Sequence, residues 1–208
     1  MSKPQLRICL ISCSVLEKEL KQLAKQRNLD VDLVFVSKYF HVEYELLERN
    51  LRRVLEKTKQ HHKGKIVLIY GDLCLGPNGE MKQLAEEYKI VKVDAVNCID
   101  CMLGGKGKFL EADPEHDLFF LGPGMTEFFK HMKKKMLNKN MNVKDIRSMF
   151  NGLRGIIYID TLGVGDKTKL DISALDMGLP ILETRNIGLE PFKQLVCETI
   201  AKANNSKD

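Results

Sequence analysis

Two hydrophobic periods alternate along this chain. Short apolar runs of strand length occupy residues 6–12 (LRICLIS), 32–37 (DLVFVS), 65–70 (KIVLIY), 90–93, 117–121 (DLFFL), 155–160 (GIIYID) and 179–183 (LPILE). Stretches with apolar residues at helical spacing lie between them. Leu16, Leu20, Leu23 and Ala24 form one stripe, and Tyr44, Leu47, Leu51, Val54 and Leu55 form another within residues 43–59. Residues 80–88 and 143–151 read as short helices, and Phe129, Met132 and Met136 mark a longer one behind Thr126 as its cap. Phe192, Leu195, Val196 and Ile200 mark the last helix, started by Glu190-Pro191, with residues 203–208 as a frayed polar tail. Continuous apolar runs are what strands buried on both faces look like, and amphipathic stripes are what the covering helices look like. The alternation predicts an α/β fold. A mainly parallel twisted sheet would carry helices on both faces, either as a single domain over 1–208 or as two closely packed Rossmann-like lobes near 1–120 and 121–208. Pro180 suits an edge position for the last strand.

In such sheets ligands bind beyond the carboxyl ends of the strands, near a switch in strand order. The residues at those ends are Cys13, His41, Gly71 to Cys74, Asn97 and Cys98, Gly122 to Gly124, and Asp160 to Gly165 with Asp166 closing the loop. Cysteine stands at three of these junctions, where a chain turns from strand to helix. Ser14 with Glu17 matches a capping box just behind Cys13. Exposed amides and a helix dipole at such a start favour a thiolate. Cys9, inside a strand, reads as a small buried hydrophobe. His61 and His62 read as a polar linker.

Composition narrows the chemistry only a little. The chain has 208 residues, 44% hydrophobic and 29% charged, with six cysteines and a formal charge of +5. No apolar run approaches the ~20 residues of a membrane-spanning helix, and MSKPQLRICLISC carries a strand-length run rather than a signal peptide. These features predict a cytoplasmic protein with no membrane role, whose cysteines are metal-binding, catalytic or buried rather than paired in disulfides. Lys130, Lys133, Lys134, Lys135 and Lys139 cluster on one helix, but no aromatic interleaving accompanies them. A solvated face is the better reading, and no nucleic-acid partner is expected.

Nucleotide motifs are missing: there is no Gly-x-x-x-x-Gly-Lys-Ser/Thr and no Gly-x-Gly-x-x-Gly after the first strand. Gly71, Gly122, Gly124 and Gly163 instead mark loops that can approach a ligand closely. The Cys98-Ile-Asp-Cys101 segment leaves several readings open. A zinc ribbon needs a second such pair, and none is present. A thioredoxin-type redox pair has the right spacing, with a bulky charged interior against it. Cys98 could join Cys13 and Cys74 as thiolate ligands of a shared metal or iron–sulfur site. Cys101, one helical turn on, could simply face the core.

The motifs resemble, in order and spacing, a family known as domain of unknown function 1638. The opening Ser12-Cys13-Ser14-Val15-Leu16 is similar to that family's Cys-Gly-Val-Leu start, and Phe40-His41 to its Leu-His element. Ile69-Tyr70-Gly71 with Cys74 resembles its Tyr-Gly-x-Cys-Gly loop, with one extra residue here and no glycine after the cysteine. Asn97-Cys98-Ile99 with Leu103-Gly104 resembles Asp-Cys-Ile and a Leu-Leu-Gly-Ser turn. Phe120 to Met125 resembles an aromatic-Leu-Thr-x-Gly-Trp segment without its tryptophan. Ile159 to Gly163 resembles an Ile-Asp-Thr-Gly strand end, and Arg185 to Gly188 a late glycine turn. The resemblance singles out Cys13, His41, Cys74 and Cys98 together. It implies an anaerobe-associated protein that works alongside corrinoid methyl-transfer systems, with a corrinoid protein or methyltransferase as partner.

The resulting expectation is a metal site. Cys13, Cys74 and Cys98 would hold an iron–sulfur cluster or zinc and leave one position, to be filled by His41 as a fourth ligand or by a small-molecule ligand in sulfur- or methyl-group handling. Asp160 is the expected catalytic group, transferring a proton or supporting a ligand from behind, with Tyr70 and Asp100 as further candidates for either role, and Asp72 is a turn residue or a further polar group. The alternatives are a non-catalytic accessory protein, whose partner face would be the helix over 43–59, and a metal-free enzyme with Cys98 as nucleophile and His41 as base.

Overall fold

The computed structural model describes residues 6–26, 29–165 and 177–206. Asp166 and the last two residues of the expected tail lie outside the described residues. The expected α/β fold is present, built on two parallel sheets rather than one. The first sheet contains β1 (Ile8–Cys13), β2 (Val31–Val36), β3 (Ile66–Ile69) and β4 (Val91–Lys92), in the order β2-β1-β3-β4. Every pair in it is parallel. The second contains β5 (Leu118–Leu121), β6 (Gly155–Asp160) and β7 (Ile181–Asn186), with β6 central. All of β1, β3 and β6 is buried. Their unbroken apolar sequences follow from having packed layers on both faces.

The helices are α1 (Glu17–Lys25), α2 (Tyr44–His61), α3 (Glu80–Glu87), α4 (Cys98–Leu103), α5 (Lys108–Ala112), α6 (Met125–Asn138), α7 (Val143–Ser148) and α8 (Glu190–Asn205). On α2 the stripe Leu47, Leu51 and Leu55 is buried, as the helical period requires. The chain does not segregate cleanly by sheet. Helix α8 follows the second sheet yet packs against β3, β4 and α4 of the first. Alternate residues of β5 and β6 serve different cores: Phe120, Ile157 and Ile159 join the main cluster, whereas Leu121, Ile156 and Tyr158 join a smaller one with Met177. This is the period-two alternation of a strand applied to a two-sided sheet.

Several local expectations differ from the structure. Cys13, not Ser14, caps the turn that opens α1: its sulfur accepts the Val15 amide at 3.4 Å. Ser14 Oγ instead accepts the amide of Lys38 at 2.8 Å, which fixes the loop after β2 beside the loop after β1. Helix α6 begins one residue before Thr126 with Gly124 at its cap, and no side chain caps it. Gly124 holds that position because an added Cβ would stand 1.9 Å from the carbonyl oxygen of Val15. Tyr44 sits at the first turn of α2, where the stripe has not yet reached the sheet, and is exposed. Beyond Ala203 the chain stays helical to Asn205, because Lys65 Nζ takes the Ala203 and Ser206 carbonyls at 2.8 and 2.7 Å.

Candidate functional site

Strand order 2-1-3-4 places a switch between β1 and β3, where chain connections leave in opposite directions and a crevice opens. Cys13 ends β1, and Cys74 lies in the turn Asp72–Leu75 that follows β3. Cys98 opens α4 just past β4. The three converge. Cys13, Cys74 and Cys98 line one cavity of about 100 Å³, together with His41, Tyr70, Gly71, Lys38 and Cys101. Its remaining wall is apolar: Val15, Leu16, Ile69, Met125, Phe128 and Phe129. Helix α6 thus brings the second sheet's side of the molecule to the thiol site.

Each connection is tightly fixed. Gly71 lets the loop after β3 lie against the loop that carries Cys98, since a Cβ there would stand 2.4 Å from the Val96 carbonyl oxygen. The amides of Asp72 and Leu73 bond the carbonyls of Ala95 and Val96 at 2.8 and 3.0 Å. Asn97 caps α4 through the Asp100 amide at 2.9 Å. Asp72 is held by Lys92 at 2.6 Å and starts the turn that bears Cys74. His41 stands in a short turn after β2, with Nδ1 3.7 Å from Cys13 Sγ. Its ring lies parallel to that of Tyr70, centroids 6.1 Å apart.

Backbone amides act on three of these thiols. The Val15 amide bonds Cys13 Sγ. A backbone amide of Gly71 favours the Cys74 thiolate, and those of Cys98 and Ile99 favour the Cys98 thiolate. At Cys101 desolvation is the largest influence, followed by the neighbouring thiols of Cys98 and Cys74. These amides are the helix-start effect expected from the sequence, but burial outweighs it. Desolvation pushes the Cys13 and Cys101 thiols far up, Cys98 up to about 12 and Cys74 up to about 11. Desolvation also lowers His41. Left to themselves, these groups are neutral thiols beside a neutral imidazole. The one cation in the lining, Lys38, is already engaged, with Nζ 2.7 Å from Glu127 and 3.2 Å from the Gly124 carbonyl oxygen.

The expected acids are placed elsewhere. Asp160 is buried and does not line the cavity; its two oxygens accept the amides of Leu162, Val164 and Gly165 at 3.1, 3.2 and 2.9 Å. Asp100 is also fully buried, and it accepts the amides of Val96 and Phe109, both at 2.8 Å. Both carboxylates shape loops. Among the expected glycines only Gly71 lines the cavity. Gly122 lies under Met102, whose sulfur would be 2.6 Å from an added Cβ, and Gly163 takes a positive φ of +68° in the loop that Asp160 holds.

Glu19 was not expected. It is fully buried on α1, and Thr161 donates to its Oε1 at 2.9 Å while Oε2 has no partner. The signal was in the stripe, because Glu19 falls three residues after Leu16 on the buried face. Desolvation raises its pKa. A carboxyl whose pKa is raised on folding binds its proton more tightly in the native chain, so stability is lost as pH climbs from the ordinary carboxyl range through the native value. Glu19→Gln is expected to remove that loss. Urea unfolding at stepped pH should show the variant gaining on the parent protein as pH rises, and a constant difference would count against a buried, protonated Glu19.

Among the described residues, no group of three or more histidine, cysteine, aspartate or glutamate side chains stands in an arrangement that could hold a metal ion. The donor set therefore does not fit a single zinc, which draws four ligands to one point. A four-iron cluster takes each of its thiolates on a separate iron, so its ligands stand around the cluster rather than at one point, and Cys13, Cys74 and Cys98, which line one cavity, suit that chemistry. No helix among the described residues is long and apolar enough to cross a membrane. No curated protein and no solved structure matches the chain. The model of the family described as Protein of unknown function (DUF1638) matches residues 35–196, a span that includes His41, Cys74 and Cys98, and the chain belongs to that family.

Proposed function

We propose that the protein holds an iron–sulfur cluster on Cys13, Cys74 and Cys98, with one coordination position left for His41 or for a small ligand in sulfur- or methyl-group handling. The carrying observation is that three strand-end thiols, one of them bonded by the Val15 amide, line one largely apolar cavity. Burial argues against a metal-free thiol enzyme. A Cys–His nucleophile needs thiolate beside imidazolium, and desolvation here disfavours both charges. Iron–sulfur chemistry supplies the missing positive charge, because a coordinating thiol is deprotonated outright. The protein's own part is to set three sulfurs around a cavity, hold the Cys13 sulfur with the Val15 amide and shield the site with Val15, Leu16, Met125, Phe128 and Phe129.

Anaerobic purification or reconstitution with ferrous iron and sulfide tests the reading. The expected result is a brown protein with near-stoichiometric iron and acid-labile sulfide. A colourless protein that takes up neither iron nor sulfide would sink it. A loaded protein that co-purifies with a corrinoid protein or methyltransferase and shows no turnover alone would have an accessory role in the system that the family resemblance implies.

A further inference from the structure

One residue that lines the thiol cavity carries a polar atom that the structure leaves unused. Tyr70 follows β3 directly, and its side chain is 2% exposed. Its ring lies against His41, and it lines the same cavity as Cys13, Cys74 and Cys98. Its hydroxyl has no hydrogen-bond partner. Cys13 and Cys74 are both close enough to act electrostatically on that hydroxyl. A buried hydroxyl without a partner costs about 1–3 kcal/mol in protein mutational data, so a chain that keeps one beside three thiols points to an acceptor that arrives later. His41 and the thiols beside it form no hydrogen bond with that hydroxyl, and most of the remaining wall is apolar: Ile69, Val15, Leu16, Met125 and two phenylalanines. Phenylalanine would fill the same space without that cost.

On the reading that the thiols hold a cluster, we infer that the Tyr70 hydroxyl donates a hydrogen bond to a sulfur of that cluster or of one of its cysteine ligands. Tyr70 is then a positioning residue that tunes the site. Donors aimed at cluster sulfurs stabilise the more negative, reduced state and raise the potential.

Tyr70→Phe removes one oxygen and keeps the ring against His41. The expected result is an intact cluster, with the redox equilibrium moved about tenfold toward the oxidised form, which is a drop of ~59 mV for a one-electron couple. Iron and sulfide content and urea unfolding, measured alongside, separate this from loss of the site. A potential unchanged in a fully loaded variant overturns the inference and leaves the cluster reading standing. Absence of a cluster in the parent protein overturns both. Should the variant fail to fold or load, the parent protein still decides the matter. Grown with tyrosine enriched in oxygen-17 at the phenol and reduced, it should show that oxygen coupled to the cluster by pulsed electron paramagnetic resonance. Tyr39, Tyr44, Tyr88 and Tyr158 line no part of the cavity, so absence of that coupling would also overturn it.

Discussion

Serine at Cys13, Cys74 or Cys98, one position at a time, is expected to abolish stable loading with iron and sulfide, by ~100-fold or more in affinity if a direct ligand matters at least as much as the outer-shell partners whose loss costs 10–100-fold. The three positions are equivalent in chemistry but not in origin. Cys13 closes β1, Cys74 sits in the turn after β3, and Cys98 opens α4. Only a shared ligand makes all three fail alike. Two other cysteines are internal controls. Cys9→Ser alters a strand interior that does not line the cavity, and Cys101→Ser alters a fully buried thiol one turn into α4 that the three-thiolate assignment leaves out. Both variants are expected to keep iron and sulfide within about twofold of the parent protein, in keeping with the usual non-additive scatter of neighbouring sites. Loading that survives any of the first three changes, or that fails equally in all five, would remove the three-thiolate assignment.

The site was more legible in the sequence than its electrostatics. Apolar runs and their ends located Cys13, His41, Cys74 and Cys98, because a parallel sheet carries every strand's exit to the same side. The exchange of charge for burial was not legible. Position at a helix start argues for a thiolate at Cys13, yet the apolar wall that overrides it comes from Met125, Phe128 and Phe129, more than a hundred residues away. Lys38 shows the same limit. Nothing local marks a lysine between Ser37 and two aromatics as buried; its partner Glu127 lies on α6. Asp160 looked like a proton-transfer group because it ends a strand. The residues that occupy it are the amides of its own loop, and a loop's backbone conformation is the feature a residue pattern specifies least. Two sheets instead of one follow from the same cause: the pattern gives strands, but the pairing of β4 with β3 and of β5 with β6 depends on contacts between distant segments.

Asp100→Ala is expected to lower unfolding stability by about 3 kcal/mol, taking roughly 1–3 kcal/mol for each amide left without its acceptor. The carboxylate spans the Cys98–Cys101 turn from within. One oxygen takes the Val96 amide before it and the other the Phe109 amide after it, both at 2.8 Å, while the Asp100 carbonyl takes the Gly105 amide, also at 2.8 Å. These bonds fix where α4 starts, and hence where Cys98 Sγ stands relative to Cys74. Cluster loading should fall with stability in this variant. Asp100→Asn separates positioning from proton transfer. It keeps one carbonyl oxygen but turns an amide group toward one of the two N–H donors, so a clamp loses about half its hold. Denaturant unfolding and iron content should therefore place Asn between Ala and the parent protein. If Asp100 acted instead as an acid or base on the site, Asn would match Ala in any turnover assay while leaving stability and iron content at the parent level. A stability change under about 0.5 kcal/mol for Ala, the range of ordinary surface substitutions, would show that the loop is held by something other than this carboxylate.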